Sequence, residues 1–285
     1  MYAIEIEGLS KKFDDFTLDN INIRLPKGYI MGYVGQNGAG KTTTIKLITE
    51  QFKHNIGKIK VLGKEYKENP SEYKQSIGFV SDDFYFPNDF TINIIEKVLI
   101  DFYPSFNVDK FSQFIEKWQL PRDKKVMEFS KGMKIRLMFS SVLSRDTKVL
   151  ILDEATSGLD PVVRQEILEI LQDYIKDGEK SVLFSTHIMD DLEKIADFVC
   201  FIDKGKIILN DTKDEILESF AIIKGEEKDL SKSLSEKVIG MTSTSVGFEA
   251  LICSEDLNLT NSNLVIERPT IVKIVIFHIQ GKRRR

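Results

Sequence analysis

Hydrophobic positions follow two different periods along the chain, and the change from one to the other marks its predicted elements. Residues 2–7 alternate apolar and acidic side chains, and the alternation returns around Asn22 to Leu25, which predicts half-buried strands. A short apolar run at 29–35 ends at a glycine, and the residues from Lys41 onward have the spacing of a helix. This part of the chain therefore predicts a strand, a glycine-rich loop and a helix.

A second periodic segment lies between Pro87 and about Thr147. Apolar residues recur there at every third or fourth position, which predicts a helical insert between two strand-rich parts. Beyond it, strands and helices are predicted in alternation, at 148–154 (strand), 160–178 (helix), 180–187 (strand) and 189–197 (helix). A hairpin is predicted around Lys204-Gly205. Strands that alternate with helices favour an α/β fold with a mostly parallel sheet, to which the N-terminal strands add an antiparallel part.

The pattern changes again near the end of the chain, where short apolar stretches predict strands and one short helix. The run from Pro269 fits either a helix, because proline suits a helix start, or a strand, because its residues are β-branched. We therefore expect a domain of residues 1–220, with a helical subdomain at about 87–147, and a small α+β region of residues 221–285. The basic residues 282–285 predict a solvated tail or a contact with acidic lipid head groups.

Charge and composition narrow the classes of protein. The net charge of -4 and the pI of about 5.6 argue against a nucleic-acid partner, because duplex binding needs a basic excess. Cys200 and Cys253 form no metal or redox motif, so we interpret both as small apolar side chains in a reducing compartment. No stretch reaches the roughly 18 apolar residues that span a bilayer, and the N-terminus lacks a signal pattern. We expect a cytoplasmic chain.

The glycine-rich loop matches GxxxxGK[ST] and lies between a predicted strand and helix, the context that the motif requires. Glycines let successive N–H groups approach phosphate oxygens, and the helix N-terminus adds positive charge. The lysine is expected to reach the β- and γ-phosphates of a nucleoside triphosphate, and the threonine after it to bind Mg²⁺. The candidate residues are Gly35, Asn37, Gly38, Ala39, Gly40, Lys41, Thr42 and Thr43.

Two acids follow the apolar strand Val149 to Leu152. We expect this strand to neighbour the phosphate loop, so that Asp153 can hold Mg²⁺ through water. Glu154, one residue later, is expected to face the other way and to act as the general base on an attacking water.

Taken together, these motifs resemble the nucleotide-binding subunit of an ATP-binding cassette (ABC) transporter. The resemblance covers about residues 1–215 and implies the P-loop ATPase core of that family, ATP and Mg²⁺ as cofactors, and ATP hydrolysis. Four further segments match family motifs, in the family's order and spacing. They are Phe13, which stands where the family stacks an aromatic ring on adenine, FSKGM from Phe129, similar to the LSGGQ signature, the D-loop Ser157 to Asp160, and the switch His187.

The family pairs two such subunits head to tail, and each ATP lies between the phosphate loop of one and the signature helix of the other. The resemblance implies that Ser130 and the backbone near Gly132 bind the partner's γ-phosphate, and that His187 stabilises charge on the chain's own ATP. It places Asp160 among the ATP-binding residues. It also implies a separate membrane permease, and so a peripheral position on the inner face of the cell membrane.

Two departures from the family pattern matter. Asp82 stands where the family has a glutamine that touches Mg²⁺ and the membrane subunit. Aspartate is charged and shorter and cannot donate a hydrogen bond, so either it binds Mg²⁺ through water or its loop only caps the helical insert. Lys131 and Met133 replace a glycine and a glutamine of the signature. This SKGM form resembles cassettes paired with bacterial ABC-2-type export permeases.

The predicted function is therefore an ATPase subunit that energises export of a drug, peptide or lipid-like substrate. The alternatives are an importer ATPase, or an ABC protein that acts on the ribosome or DNA. The acidic charge and the single cassette, without a long coiled-coil insertion, disfavour the last. The working pair is expected to be either two copies of this chain or this chain with a relative.

Overall fold

The computed structural model describes residues 1–54 and 56–284, which form three β-sheets with helices packed against them. The strands are β1 (Tyr2–Lys12), β2 (Thr17–Pro26), β3 (Ile30–Val34), β4 (Ile56–Val61), β5 (Ile77–Ser81), β6 (Val149–Asp153), β7 (Ser181–Thr186), β8 (Phe198–Asp203), β9 (Lys206–Thr212), β10 (Phe220–Gly225), β11 (Gly240–Thr244), β12 (Gly247–Cys253) and β13 (Val265–Glu267). The helices are α1 (Lys41–Ile48), α2 (Pro70–Ser76), α3 (Ile92–Phe102), α4 (Val108–Lys117), α5 (Lys131–Leu143), α6 (Pro161–Ile175), α7 (Met189–Ile195), α8 (Lys213–Ser219), α9 (Lys232–Ser235) and α10 (Ile271–Arg284).

The central sheet has the strand order β5-β6-β7-β3-β8-β9. Its first five strands are parallel, and β9 pairs antiparallel with β8 in the predicted hairpin. This confirms the mostly parallel sheet. The strand β6 does not pair with β3, which leads into the phosphate loop, because β7 lies between them, but its end still places Asp153 beside Thr42. Hydrophobic periodicity predicts where strands lie along the chain, but it does not predict the order of those strands in a sheet.

Both faces of the central sheet are covered, which explains why its strands are continuously apolar. On one face, Val149 and Ile151 pack with the antiparallel sheet β2-β1-β4 and with α1. On the other face, Leu150 and Leu152 pack with the helices. Alternate residues of one strand thus enter two separate hydrophobic cores.

The helical insert predicted at 87–147 contains α3, α4 and α5. Polar side chains cap the helices, since the side chains of Thr91, Asn107 and Ser130 accept hydrogen bonds from the first turns of α3, α4 and α5. Phe111 of α4 and Phe139 of α5 are fully buried in the helix-side core. The insert is therefore fixed to the central sheet through apolar contacts.

The C-terminal region forms the antiparallel sheet β11-β12-β10-β13, and the ambiguous run from Pro269 is the helix α10. The strand β11 was not predicted. Helix α10 buries Ile271, Ile274 and Phe277 in the same helix-side core as the insert. One face of this sheet and α10 thus pack in the core of the rest of the chain, whereas the other face of the sheet forms a small separate core. The boundary at residue 220 stays a prediction. Arg285 and the side chains of 282–284 lie outside the described residues.

Within the described part of the chain, no helix combines the length and apolar character that a bilayer span requires.

Candidate nucleotide-binding site

The glycine-rich loop joins β3 to α1 with a geometry that depends on its glycines. Gly40 has φ of +114°, and a Cβ there would lie 2.7 Å from Cδ2 of Leu18. A larger residue would therefore distort the loop. Lys41 begins α1 with 5% of its surface exposed, and its Nζ donates to the carbonyl oxygen of Gly35 at 2.7 Å. The lysine ammonium is thus folded back over the loop.

A cleft of about 640 Å³ lies above this loop. Eight of the residues that line it were predicted as site residues from the sequence, and three were not. The lining residues are Phe13, Asp15, Phe16, Gln36, Asn37, Gly38, Gly40, Lys41, Thr42, Thr43 and Glu154. Asp15, Phe16 and Gln36 were missed. Gln36 occupies a variable position of the motif, and only its neighbours could have marked it.

The remaining loop residues shape the cleft from behind. The N–H of Ala39 donates to the Gln36 carbonyl at 3.1 Å, and its own carbonyl accepts from the N–H of Gly205 at 2.9 Å. At Gly35 a Cβ would lie 2.4 Å from the carbonyl oxygen of Ile202. The loop is therefore packed against the β8–β9 hairpin, which keeps its backbone in place.

Phe13 lies at one side of the cleft, where the sequence prediction puts the adenine ring. Its ring centroid is 6.3 Å from that of Phe16 and 6.0 Å from that of Phe52. Aromatic rings around an open cleft offer a stacking surface for a base.

Glu154 connects the phosphate loop with the switch histidine. Its Oε1 is 3.3 Å from Nζ of Lys41, and its Oε2 is 2.5 Å from Nδ1 of His187. Its backbone is left-handed, with φ of +54°, and its N–H donates to the carbonyl of Ser185 in β7. Strand alternation ends at this residue, so the side chain turns into the cleft. The three predicted catalytic residues are in contact.

Asp153 lies at the end of β6 with 8% of its surface exposed. Burial raises the pKa of its carboxyl group, and the nearby hydroxyl groups of Thr42 and Ser185 lower it in part. Its Oδ1 is buried and has no hydrogen-bond partner among the described residues. A buried carboxylate oxygen with an unused lone pair beside a threonine is typical of a site for a hard cation.

We expect Asp153→Asn to raise the free energy of unfolding at pH 7 to 8. A raised pKa in the folded chain means that folding favours the protonated acid, so this group's contribution is complete below pH about 4 and is lost as pH rises through the raised pKa. Asparagine is neutral throughout and avoids that loss. Thermal unfolding at pH 5 and pH 8 measures the effect, which should be larger at pH 8.

Asp101→Asn, an exposed position on α3, is the matched control and should leave the pH dependence unchanged. A lower Tm for Asp153→Asn than for the unchanged chain at pH 8 would contradict the prediction.

The signature segment, which begins at Phe129, lies outside the nucleotide cleft. The residues that line the cleft include neither Ser130 nor Gly132. Ser130 is the N-cap of α5, and its Oγ accepts from the N–H of Met133 at 3.2 Å. A Cβ at Gly132 would have no atom closer than 3.9 Å, so the first turn of α5 is open on this side. The chain thus carries an accessible helix start apart from its own nucleotide cleft.

Two acids of the prediction have other contacts. Asp160 caps α6, because its Oδ1 accepts from the N–H groups of Val162 and Val163 at 3.1 Å each. Asp82 follows β5, and its N–H donates to the carbonyl of Asp153 at 3.0 Å. Its carboxylate forms an ion pair with Nζ of Lys131.

Comparison with known proteins agrees with this geometry. Residues 18–157 match the family model described as ABC transporter. A lantibiotic transport ATP-binding protein of Streptococcus pyogenes is 32% identical over 234 residues, which cover 74% of this chain and 91% of that protein. A Nod factor export ATP-binding protein of Burkholderia pseudomallei is 31% identical, with coverage of 76% and 73%. A methionine import ATP-binding protein of Haemophilus ducreyi is 32% identical, with coverage of 75% and 66%.

A solved structure of an ATP-binding subunit of an ABC transporter has the same fold, with a TM-score of 0.69 and 23% identity over 75% of this chain and 91% of that one. The match of sequence, fold and nucleotide cleft leads to one assignment. The chain belongs to the ABC transporter family, as an ATP-binding and ATP-hydrolysing subunit.

Proposed function

We propose that the chain works as one of two paired subunits that hydrolyse ATP to drive export through a separate membrane protein. One observation carries this proposal. The cleft holds the phosphate loop, Lys41 and Glu154, whereas the signature segment around Ser130 lies outside it and presents an open helix start. A site for the γ-phosphate is complete only if a second subunit supplies that segment.

The residues present fit Mg²⁺ as the metal. Asp153 offers the buried oxygen without a partner, and Thr42 offers a hydroxyl group beside it. Mg²⁺ prefers such oxygen ligands and retains several waters, and when bound it neutralises charge on the β- and γ-phosphates. Asp82 is the weaker candidate, because its carboxylate is occupied by Lys131.

Glu154 and the two side chains that contact it, Lys41 and His187, have different roles in ATP hydrolysis. Lys41 exchanges Gly35 and Glu154 for phosphate oxygens, which frees the Glu154 carboxylate to accept a proton from the attacking water. His187 keeps Glu154 in place through its contact with Oε2 and stabilises charge on the γ-phosphate. Cleavage removes the phosphate that joins the two subunits, and they separate.

A groove of about 640 Å³ between α3, α5 and the central sheet fits the membrane partner. Its lining includes Tyr85 and Phe86, which lie just after Asp82 in the loop that the family uses against its membrane subunit. Phe102, at its edge, is 73% exposed. An apolar groove with exposed aromatic side chains is typical of a protein-binding surface. A position of the chain on the cytoplasmic face of the membrane follows from this proposal.

Export is favoured over import by the SKGM form of the signature. The relatives include proteins named for export and proteins named for import, so the proposed direction of transport rests on this segment. The membrane protein selects the substrate, and a drug, peptide or lipid-like molecule is the class we propose.

The test is recovery of the tagged chain from a detergent extract of its own cells. We expect an integral membrane protein with about six spans to be recovered with it. Phe102→Asp places a charge in the groove and should reduce that recovery at least several-fold, because a buried unpaired carboxylate is costly. Ile56→Asp, at a 61% exposed position of β4, is the control and should recover the membrane protein normally.

Recovery of ribosomes or DNA without a membrane protein would overturn the proposed transport role. Equal recovery with Phe102→Asp and Ile56→Asp would overturn the groove as the contact surface.

A further inference from the structure

Two departures from the family pattern contact each other. Asp82 and Lys131 stand where the family has a glutamine and a glycine, and the structure joins their side chains in an ion pair. Both side chains are a little under half exposed. The pair connects the loop after β5 with the first residue of α5, so it spans the central sheet and the helical insert.

The surroundings explain why Lys131 needs a counter-ion. A lysine in the first turn of a helix is unfavourable next to the positive end of the helix dipole, and α5 has no acid in its first turn. The carboxylate of Asp82 supplies the missing negative charge. On another side, a Cβ at Gly158 of the D-loop would lie only 3.4 Å from Nζ of Lys131. The lysine is thus held between the Asp82 carboxylate and the D-loop.

The same two residues belong to different ATP sites of the proposed pair. The N–H of Asp82 donates to the carbonyl of Asp153, whose side chain lies beside Thr42 of the chain's own cleft. Lys131 lies beside Ser130 and Gly132, at the helix start that faces the partner subunit's ATP. A phosphate that approaches this helix start meets a lysine already paired with a carboxylate, and the carboxylate repels it.

We propose that Asp82 competes with the partner subunit's γ-phosphate for Lys131, and so sets the ATP concentration at which two subunits associate. Asp82 is a positioning residue in this role and acts through Lys131. When the phosphate takes the lysine, the Asp82 carboxylate is released next to the chain's own site. The pair thereby links occupancy of one site to the environment of the other. The inference rests on the proposed head-to-tail pair.

The test is a double-mutant cycle in the full chain carrying Glu154→Gln, which is expected to retain the ATP-bound dimer. The variants are Asp82→Asn, Lys131→Met and the combination, and the measurement is the ATP concentration for half-dimerisation by sedimentation or light scattering. We expect Asp82→Asn to lower that concentration about two- to five-fold, the range for half-exposed ion pairs. Lys131→Met should raise it, and Asp82→Asn should add nothing once Lys131 is absent.

Matched controls remove the same charges nearby. Asp83→Asn changes the exposed neighbour of Asp82, and Lys134→Met changes a lysine one turn along α5 that lies over the ring of Phe84. Neither control should reproduce the effect of its neighbour or show non-additivity with the other.

Three outcomes would contradict these expectations, and the measurements distinguish them. A higher ATP requirement for Asp82→Asn, with a lower Tm, would show a merely structural ion pair and overturn the inference. A raised Mg²⁺ requirement for Asp82→Asn that persists in Lys131→Met would show a metal ligand and overturn it too. No dimer of the Glu154→Gln chain at any ATP concentration would instead overturn the pairing of two copies of this chain, on which the inference rests.

Discussion

Replacing Glu154 by glutamine is expected to lower ATP turnover by about 10²- to 10⁴-fold and to accumulate an ATP-bound dimer. Glutamine keeps the shape of the side chain but cannot accept the proton of the attacking water. The contact with His187 Nδ1 can still form, because the amide has both a donor and an acceptor. Phosphate release from MgATP measures turnover, and size-exclusion chromatography with ATP measures the dimer.

The contact between Glu154 and Lys41 makes the two effects separable. Their 3.3 Å ion pair must be exchanged for contacts with phosphate when ATP binds. Glutamine removes the charge that competes for Lys41, so ATP binding should be equal or tighter while hydrolysis falls. Glu116→Gln, an exposed position on α4, removes the same charge far from the cleft and should change neither quantity. Unchanged turnover in Glu154→Gln would rule out this residue as the base.

The second large effect is a loss of stability, caused by a substitution in the C-terminal helix α10. Phe277→Ala is expected to lower the free energy of unfolding by about 3–5 kcal/mol, the usual cost of removing a buried phenyl ring. Phe277 is 3% exposed, and it packs in the core that also contains the helical insert. The Tm should fall by roughly 10 °C for a domain of this size. Differential scanning calorimetry measures both the Tm and the number of transitions.

Ile276→Ala is the matched control. The side chain of Ile276, next to Phe277 in the sequence, is 44% exposed, and its removal should lower the free energy of unfolding by well under about 1 kcal/mol. Because α10 packs in the main core, the Phe277→Ala chain is expected to unfold in one transition at the lower temperature. A separate early transition, with the remainder of the chain unfolding at the original temperature, would support an independent region at 221–285.

The sequence predicted the parts of the site that depend on local chemistry. The glycine loop, Lys41 and the acids after β6 form motifs whose residue types follow from phosphate and metal binding, so each could be placed on its element. Periodicity likewise distinguished the helical insert from the strands around it. These features depend on neighbours in the chain, and the strands and helices that carry them lie where the sequence predicted them.

The features that the sequence did not predict depend on contacts between distant segments. Strand β7 inserts between β3 and β6, and nothing in either strand specifies that order. The left-handed turn at Glu154 redirects its side chain against strand alternation. Helix α10 was ambiguous because its β-branched residues lower helix propensity, and burial of its apolar face against the core decides the outcome.

The ion pair between Asp82 and Lys131 has a consequence for the history of the family. Positions in contact tend to change together over evolution, because a change in one alters the fitness of the other. A chain with glycine at position 131 needs no acid at position 82, because no lysine ammonium is present there to pair with it. Across an alignment of cassettes the two positions should therefore covary, with lysine accompanied by aspartate and glycine by glutamine. An ancestor that acquired the lysine first would have carried an uncompensated charge, which makes the order of the two replacements a question that sequence reconstruction can answer.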